Sequence, residues 1–382
     1  MPLFLIIFLS GYGGMHLFAF YRLKSTFSHG RPATLLLAAF MVLMTLAPLL
    51  VRLSEGAGMD RCALFIAWPG YLWMGFVFIF FSALLVADAV RCAYWLLNTL
   101  FSIPALSFLT SEICCIFALL TAFLASGYAC HEASQIRIEQ VIINSPKLSH
   151  DTQRIRIVQI SDVHIGLLFR EARLEQVLKV IRGAKPDIIV STGDLVDGKL
   201  NREDMKSHLD SLSAMLASLS APAGKFAVTG NHELYAGLKQ ALAFTSAAGF
   251  TLLRNRSVSL PGGVIISGVD DQAITGKSTS EYAEKKLLEA VPKEGFHILL
   301  KHRPEIPATS KALFDLQLSG HAHKGQIFPF NFLVKLKYPI SSGTTLTSEG
   351  SNIHVSRGTG TWGPPMRLFA PPEVTIIDLK GQ

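Results

Sequence analysis

The sequence predicts an α/β fold, a two-sheet β-sandwich flanked by helices, behind an N-terminal all-α transmembrane domain. Three observations predict it. Within residues 1–130 the Asp, Glu, Lys and Arg side chains are only Arg22, Lys24, Arg31, Arg52, Glu55, Asp60, Arg61, Asp88, Arg91 and Glu112. Beyond residue 130, apolar runs of strand length alternate with amphipathic runs of helical period. Short polar segments rich in Asp and His follow several of those strands. The expected division is a transmembrane helical domain over 1–130 and a globular domain over 131–382.

Residues 2–21, 32–51 and 63–87 are uncharged apolar runs. Each reaches the roughly 20 residues needed to cross a bilayer as a helix. Residues 92–129 are uncharged apart from Glu112 and too long for one simple span. Pro104 is expected to separate an interfacial segment, Tyr94–Ile103, from a spanning helix near 106–128. This makes four spans, with five as the alternative. Glu112 is expected at the interface. Arg22, Lys24, Arg31 and Arg91 fall in loops on one side, against Arg52, Arg61 and Arg137 on the other. By the rule that basic loops stay inside, the globular domain is placed outside the cytoplasm.

In the second part, residues 136–143 and 154–160 read as strands, and 171–183 as a helix with Leu174, Val177, Leu178 and Ile181 on one face. Residues 187–192 form a buried strand. Residues 202–219 form a helix with Met205, Leu209, Leu212, Leu216 and Leu219 in register. A strand at 226–229 and a helix at 234–247 follow. Strands at 264–269, 297–300, 316–319, 352–356 and 374–379 complete the chain. The βαβα opening argues for parallel strands, and the strand-rich remainder for a second sheet.

The formal net charge is +7, with acids interspersed among the bases. No clustered basic stripe with stacking aromatics is present, so nucleic acid is not the expected partner. All five cysteines lie between Cys62 and Cys130, which excludes a thiolate metal site from the second part. Gly358-Thr-Gly-Thr-Trp-Gly363 matches GxGxxG, but Pro364-Pro365 stand where a helix should open, which excludes dinucleotide binding.

The chemistry sits in Asp162-Val-His164, Gly193-Asp194, Gly230-Asn231-His232-Glu233, His302 and Gly320-His321-Ala322-His323. Each segment follows a predicted strand. Strand-end loops on a rigid sheet are where convergent site residues sit. Carboxylate and imidazole without thiolate suit Mn, Fe or Zn. Two dications held close repel, so a shared anion is needed, and Asp194 is placed to bridge. Such a pair, roughly 3.5–4 Å apart, acidifies a shared water and clamps a phosphoryl group during hydrolysis.

These segments, in this order over residues 154–325, resemble the calcineurin-like metallophosphoesterase superfamily. The resemblance implies that Asp162, His164, Asp194 and His323 hold one metal, and that Asp194, Asn231, His302 and His321 hold the other. It implies that His232 faces the leaving group and that Asp197, three residues after Asp194, orients it. The closing run from Ser356 to Arg367, with Pro372-Glu373, resembles a bacterial membrane-associated branch, some of whose members act on lipid-like or nucleotide-linked lipid substrates. That places the chain in a bacterial inner membrane. The sequence departs from its relatives at Ala322 and Lys324, where Thr and Gly are frequent, and at Glu233, where Asp is frequent.

The expected function is therefore a membrane-anchored dimetal phosphoesterase. It cleaves a phosphodiester or pyrophosphate bond, extending to lipid-linked or nucleotide-linked substrates. The partners are a phosphate ester and the bilayer. The alternatives are a phosphoprotein phosphatase and a membrane sensor or scaffold whose domain binds metal with weak activity. Among other polar residues, His16, His29, His131, His150, His208, His297 and His354 lack motif context and are read as structural, with His354 the first exception to test. Asp270-Asp271 reads as a loop cap, and Arg303, Lys324 and Arg357 are candidate phosphate contacts.

Overall fold

A computed structural model describes residues 2–27, 30–101, 109–148, 154–200 and 203–381. Pro104, His29 and His150 lie outside the described residues, as does the side chain of Met205. The chain divides into two compact units. One comprises Met1–Glu132 with Ile327–Pro329 and Gly363–Leu368, the other Ala133–Gln326, Phe330–Trp362 and Phe369–Gln382.

The helical unit contains α1 (Pro2–Phe27), α2 (Arg31–Gly56), α3 (Asp60–Phe101) and α4 (Ser111–Ser134). Among the described residues, α2, α3 and α4 are long and apolar enough to cross a membrane. Small residues let α2 and α3 approach closely: a Cβ on Gly70 would stand 2.8 Å from the Cβ of Ala47. Ile327, Met366 and Leu368 join the apolar core of this unit with Phe80, Leu84 and Cys115. Glu112 lies exposed in the first turn of α4.

Tyr94–Phe101 continues the preceding helix, because α3 runs unbroken for 42 residues; Ile103, like Pro104, lies outside the described residues. No glycine or proline interrupts it between Gly75 and Phe101. The charges expected to end the span are paired instead: Asp88 lies 3.1 Å from Arg22 and 3.5 Å from Arg91. Arg91 is thus helical, as are Arg22, Lys24, Arg31, Arg52 and Arg61.

The second unit is a two-sheet sandwich with helices, as predicted. Its strands are β1 (Arg137–Ser145), β2 (Ile155–Ile160), β3 (Ile188–Ser191), β4 (Lys225–Ala227), β5 (Thr251–Leu252), β6 (Arg256–Leu260), β7 (Val264–Gly268), β8 (Phe296–Leu300), β9 (Leu316–Ser319), β10 (Gly343–Leu346), β11 (Asn352–Val355) and β12 (Glu373–Gly381). One sheet has the order β1-β12-β2-β3-β4-β5, the other β10-β11-β9-β8-β7-β6. The helices are α5 (Glu171–Ala184), α6 (Glu203–Ala217), α7 (Asn231–Ala247), α8 (Gln272–Thr275), α9 (Lys277–Glu289) and α10 (Phe330–Lys337).

Alternation along each strand builds two apolar layers. Ile157, Ile188, Val190 and Phe226 meet Ile266, Ile298, Leu300 and Leu316 from the other sheet. Val158, Ile160 and Ile189 point the opposite way, onto Leu174, Leu178 and Ile181 of α5 and Leu212 and Leu216 of α6. Ile157 is fully buried; truncating such a side chain to Ala costs about 2–5 kcal/mol. β2, β3 and β4 pair in parallel, as do β7, β8 and β9. Parallel order brings the C-terminal ends of neighbouring strands in each sheet to one edge, and the polar loops leave from those ends.

Candidate metal centre

The site rests on backbone that most residues avoid. Asp162 (φ 50°), His164 (φ 53°), Asp194 (φ 51°), His321 (φ 68°) and His323 (φ 48°) all occupy the left-handed region. Each such residue stores on the order of 1–3 kcal/mol and persists only where its surroundings dictate it. Here the loops dictate one another. The Asp162 amide donates to Gly193 O at 3.0 Å, the His164 amide to Asp194 O at 3.1 Å, and the Gly320 amide to His302 O at 2.9 Å. The Thr359 and Gly360 amides donate to the carbonyls of Ser161 and Asp162 at 2.7 and 2.9 Å. The GxGxxG run thus braces the Asp162 loop.

Two glycines are required by close approach. A Cβ on Gly230 would collide with the Asp194 carboxylate, and one on Gly320 with Ser161 Oγ and Asp162 Oδ2. Glu233 organises the same region from below. Its carboxylate accepts from the amides of Asp194 (3.1 Å), Leu195 (2.8 Å) and Gly230 (2.6 Å). Its place three residues after Gly230, at the start of α7, is the capping-box spacing that signals this role.

The loops bring Asp162, His164 and His323 together as one potential metal-holding group, and Asp194, His302 and His321 as another. In the first, the Nε2 atoms of His164 and His323 face each other at 3.2 Å, with Asp162 Oδ1 3.3 Å from His323 Nε2. In the second, His302 Nε2 lies 3.1 Å from both Asp194 Oδ2 and His321 Nδ1. His302 Nδ1 donates to Thr192 O at 2.8 Å, which aims Nε2 into the site. Asn231 is buried at the first turn of α7, its Oδ1 3.5 Å from Arg303 Nη2. His164, Asp197 and His232 form a third cluster, in which Asp197 Oδ1 meets His232 Nδ1 at 2.9 Å.

Electrostatics fit cation binding. Asp162 and Asp194 are fully enclosed, and burial pushes their carboxyls up. The charges of His323 on Asp162, and of His302 and His232 on Asp194, outweigh that and hold both acids ionised. Burial and the charge of His232 press His164 down to about 3, leaving it neutral. His321 is likewise pressed down by burial and by His302 and Arg303. His302 is driven up to about 10: burial opposes this, but the Asp194 charge and hydrogen bond prevail. The oxygen-and-imidazole donor set fits divalent ions, whose charge the two buried carboxylates would balance.

Other candidates have structural partners. Asp271 caps α8 through the Ala273 amide and pairs with Arg303 Nε at 2.8 Å, while Asp270 pairs with Arg254. Arg303 also reaches His321 Nε2 at 3.3 Å and Tyr338 Oη at 3.2 Å, a placement at the metal centre that the sequence left open. Arg357 pairs with Glu139 and Glu373. His354 is buried between Thr344 and Thr375, and His297 between Ser267 and the Leu313 carbonyl.

A family model for the calcineurin-like phosphoesterases matches residues 155–325. An uncharacterized metallophosphoesterase of Aquifex aeolicus is 41% identical over 265 residues, covering 68% of this chain and 98% of the relative. One from Bacillus subtilis is 34% identical over 272 residues, covering 68% and 92%. A zebrafish (Danio rerio) protein described as a transmembrane protein with a metallophosphoesterase domain is 30% identical over 276 residues, covering 69% of this chain and 61% of its own length. The chain belongs to the calcineurin-like phosphoesterase family of metal-dependent phosphoester hydrolases.

Proposed function

We propose that this chain is a membrane-anchored dimetal phosphoesterase that cleaves a phosphodiester or pyrophosphate bond in a lipid-linked or nucleotide-linked substrate. The supporting observation is the convergence of Asp162, His164 and His323 beside Asp194, His302 and His321 on strand-end loops, with His232 adjoining. In this reading Asp162, His164, Asp194 and His323 hold one divalent ion. Asp194, Asn231, His302 and His321 hold the second, and Asp194 is shared. Mn, Fe and Zn all suit these donors. Bound there, the ions supply Lewis acidity, acidifying water and screening phosphoryl charge.

The remaining chemistry belongs to side chains. Burial opposes protonation of His232, while Asp194 and Asp197 favour it; with ions on Asp194, the hydrogen-bonded Asp197 would be the partner that still supports the proton. Held at Nδ1 by Asp197, His232 offers its Nε2 proton to the departing oxygen as general acid. Arg303, fixed by Asp271 and adjacent to His321, is placed to neutralise a non-bridging phosphate oxygen. The apolar helices of the same chain support a membrane-proximal substrate, and an extracytoplasmic catalytic unit in a bacterial inner membrane is part of the reading.

The test uses the full chain in nanodiscs with Mn²⁺ and bis-p-nitrophenyl phosphate. Wild type is expected to release p-nitrophenol, and Asp194→Asn to lose that activity while keeping its fold. Equal rates for the two proteins would falsify the assignment.

A further inference from the structure

Helix α10 is built unlike a water-facing helix. Its inner edge is anchored, with buried Tyr338 and partly buried Val334 packing with Ile353 and Val355. Its outer edge is apolar: Leu333 is 59% exposed and Leu336 84% exposed, three residues apart and therefore on one face. Lys335 and Lys337 flank them, both exposed. No residue of this helix is buried. A helix that shows leucines outward and lysines beside them has the pattern of an element lying at a bilayer surface.

Its position relates it to the metal centre. The Tyr338 ring, directly after α10, stands edge-on to His321 at 5.3 Å. Half-exposed Trp362 stands edge-on to His232 at 5.8 Å. The Trp362 amide donates to Gln326 Oε1, and Gln326 Nε2 donates to the Trp362 carbonyl, both at 2.9 Å. Trp362 is thereby fastened to the chain just ahead of α10. Covalent continuity points to the occupant. Ile327–Pro329, immediately before α10, and Gly363–Leu368, immediately after Trp362, belong to the helical unit with its apolar spans.

We propose that α10, with Trp362, is an interfacial element that seats Leu333 and Leu336 in an anionic bilayer surface, so that the metal centre opens among lipid headgroups. This rests on the membrane-anchored reading above. The lysines select the lipid: Lys335 and Lys337 meet anionic headgroups favourably, each through a screened attraction that salt weakens. A second copy of the chain docking symmetrically would instead bring these lysines towards their own counterparts. The consequence is a preference for substrates whose scissile phosphate lies at headgroup depth, with acyl chains left in the bilayer.

The test places a benzophenone amino acid at position 336 of the full chain, with exposed position 286 on α9 as control. The chain is reconstituted at one copy per nanodisc, with about one-quarter phosphatidylglycerol in phosphatidylcholine to supply anionic charge. Illumination is expected to give a lipid adduct at 336 and none at 286. A chain-to-chain adduct at 336, or no lipid adduct, overturns the proposal. In parallel, the Leu333→Gln, Leu336→Gln double variant is expected to hydrolyse soluble bis-p-nitrophenyl phosphate like wild type. It should lose about tenfold of its rate on a phospholipid diester embedded in the same discs. Equal rates of variant and wild type on the embedded diester overturn the docking role. Inactivity of wild type on the soluble diester strikes the hydrolase reading instead, and leaves the crosslinking result standing.

Discussion

Asp197 Oδ1 lies 2.9 Å from His232 Nδ1, and this contact fixes which imidazole nitrogen faces the site. A carboxylate accepts only, so Nδ1 carries the proton there and Nε2 is left free for the leaving-group role proposed above. His232 gains further definition from its own amide, which donates to Asp194 Oδ1 at 2.8 Å. The proposed acid is thereby tied to the carboxylate proposed to serve both ions.

Removing the acid should therefore matter most where the leaving group is poor. His232→Ala is expected to lower kcat about 10²–10⁴-fold on an alkyl phosphodiester. The loss should be much smaller on a p-nitrophenyl ester, whose leaving group needs no proton. Asp197→Asn should give an intermediate loss of about 10–100-fold with the same leaving-group dependence. A loss of equal size on both esters counts against the acid role.

Glu233 carries a different kind of prediction. Its carboxylate is the acceptor for three loop amides, those of Asp194, Leu195 and Gly230. Burial and the Asp194 charge push it up to about 7, opposed by those same backbone hydrogen bonds. Glu233→Ala leaves buried N–H groups without acceptors, at about 1–3 kcal/mol for each one left unsatisfied. The expected result is a lower Tm in the metal-free chain and weaker metal binding. An unchanged Tm means water replaces the carboxylate.

The site was legible in the sequence because its residue types are scarce and its order is fixed. Apolar runs of strand length, each followed by a segment rich in Asp or His, signalled the strand-end loops that carry it. What was not legible was strain. Nothing in Asp162-Val-His164 as letters reveals left-handed backbone, which is imposed by Gly193, Thr359 and Gly360 from distant sequence. The continuity of α3 past Asp88 was hidden for a related reason, since Arg22 supplies the neutralising charge from another helix. The strands β5, β6 and β10 and the helices α8, α9 and α10 also went unread. Their patterns are brief or, in α10, lack the polar outer face that marks a soluble helix.

A pH prediction comes from the joint between β2 and β12, away from the metal centre. Arg156 grips Asp378 with two hydrogen bonds, Nε at 2.7 Å and Nη2 at 2.8 Å, across paired strand positions. That hydrogen bond holds the Asp378 carboxyl below its ordinary range, against a partial burial that raises it. A depressed acid stabilises the fold fully above its unfolded value, about 3.9. The contribution is lost as pH falls through the lower folded value. Asp378→Asn is therefore expected to lower stability by about 1 kcal/mol at neutral pH, a modest figure because solvent screens the pair. The gap should close below about pH 4, read as Tm of variant and wild type across a pH series. A gap that widens in acid runs against the sign of this argument.

The shared role proposed for Asp194 predicts a pattern of metal loss that separate sites would not give. Wild type should carry roughly two ions per chain by elemental analysis. His321→Ala removes a donor from one group only and should retain about one ion. Asp194→Asn weakens both groups and should fall below that. The same ordering should appear in stability, because ions that bind only the folded chain raise Tm by mass action and a chelator removes that gain. Chelation should thus lower Tm most in wild type, less in His321→Ala and least in Asp194→Asn. If Asp194→Asn instead matches His321→Ala in both metal content and chelator response, the carboxylate serves one ion alone and the bridge is wrong.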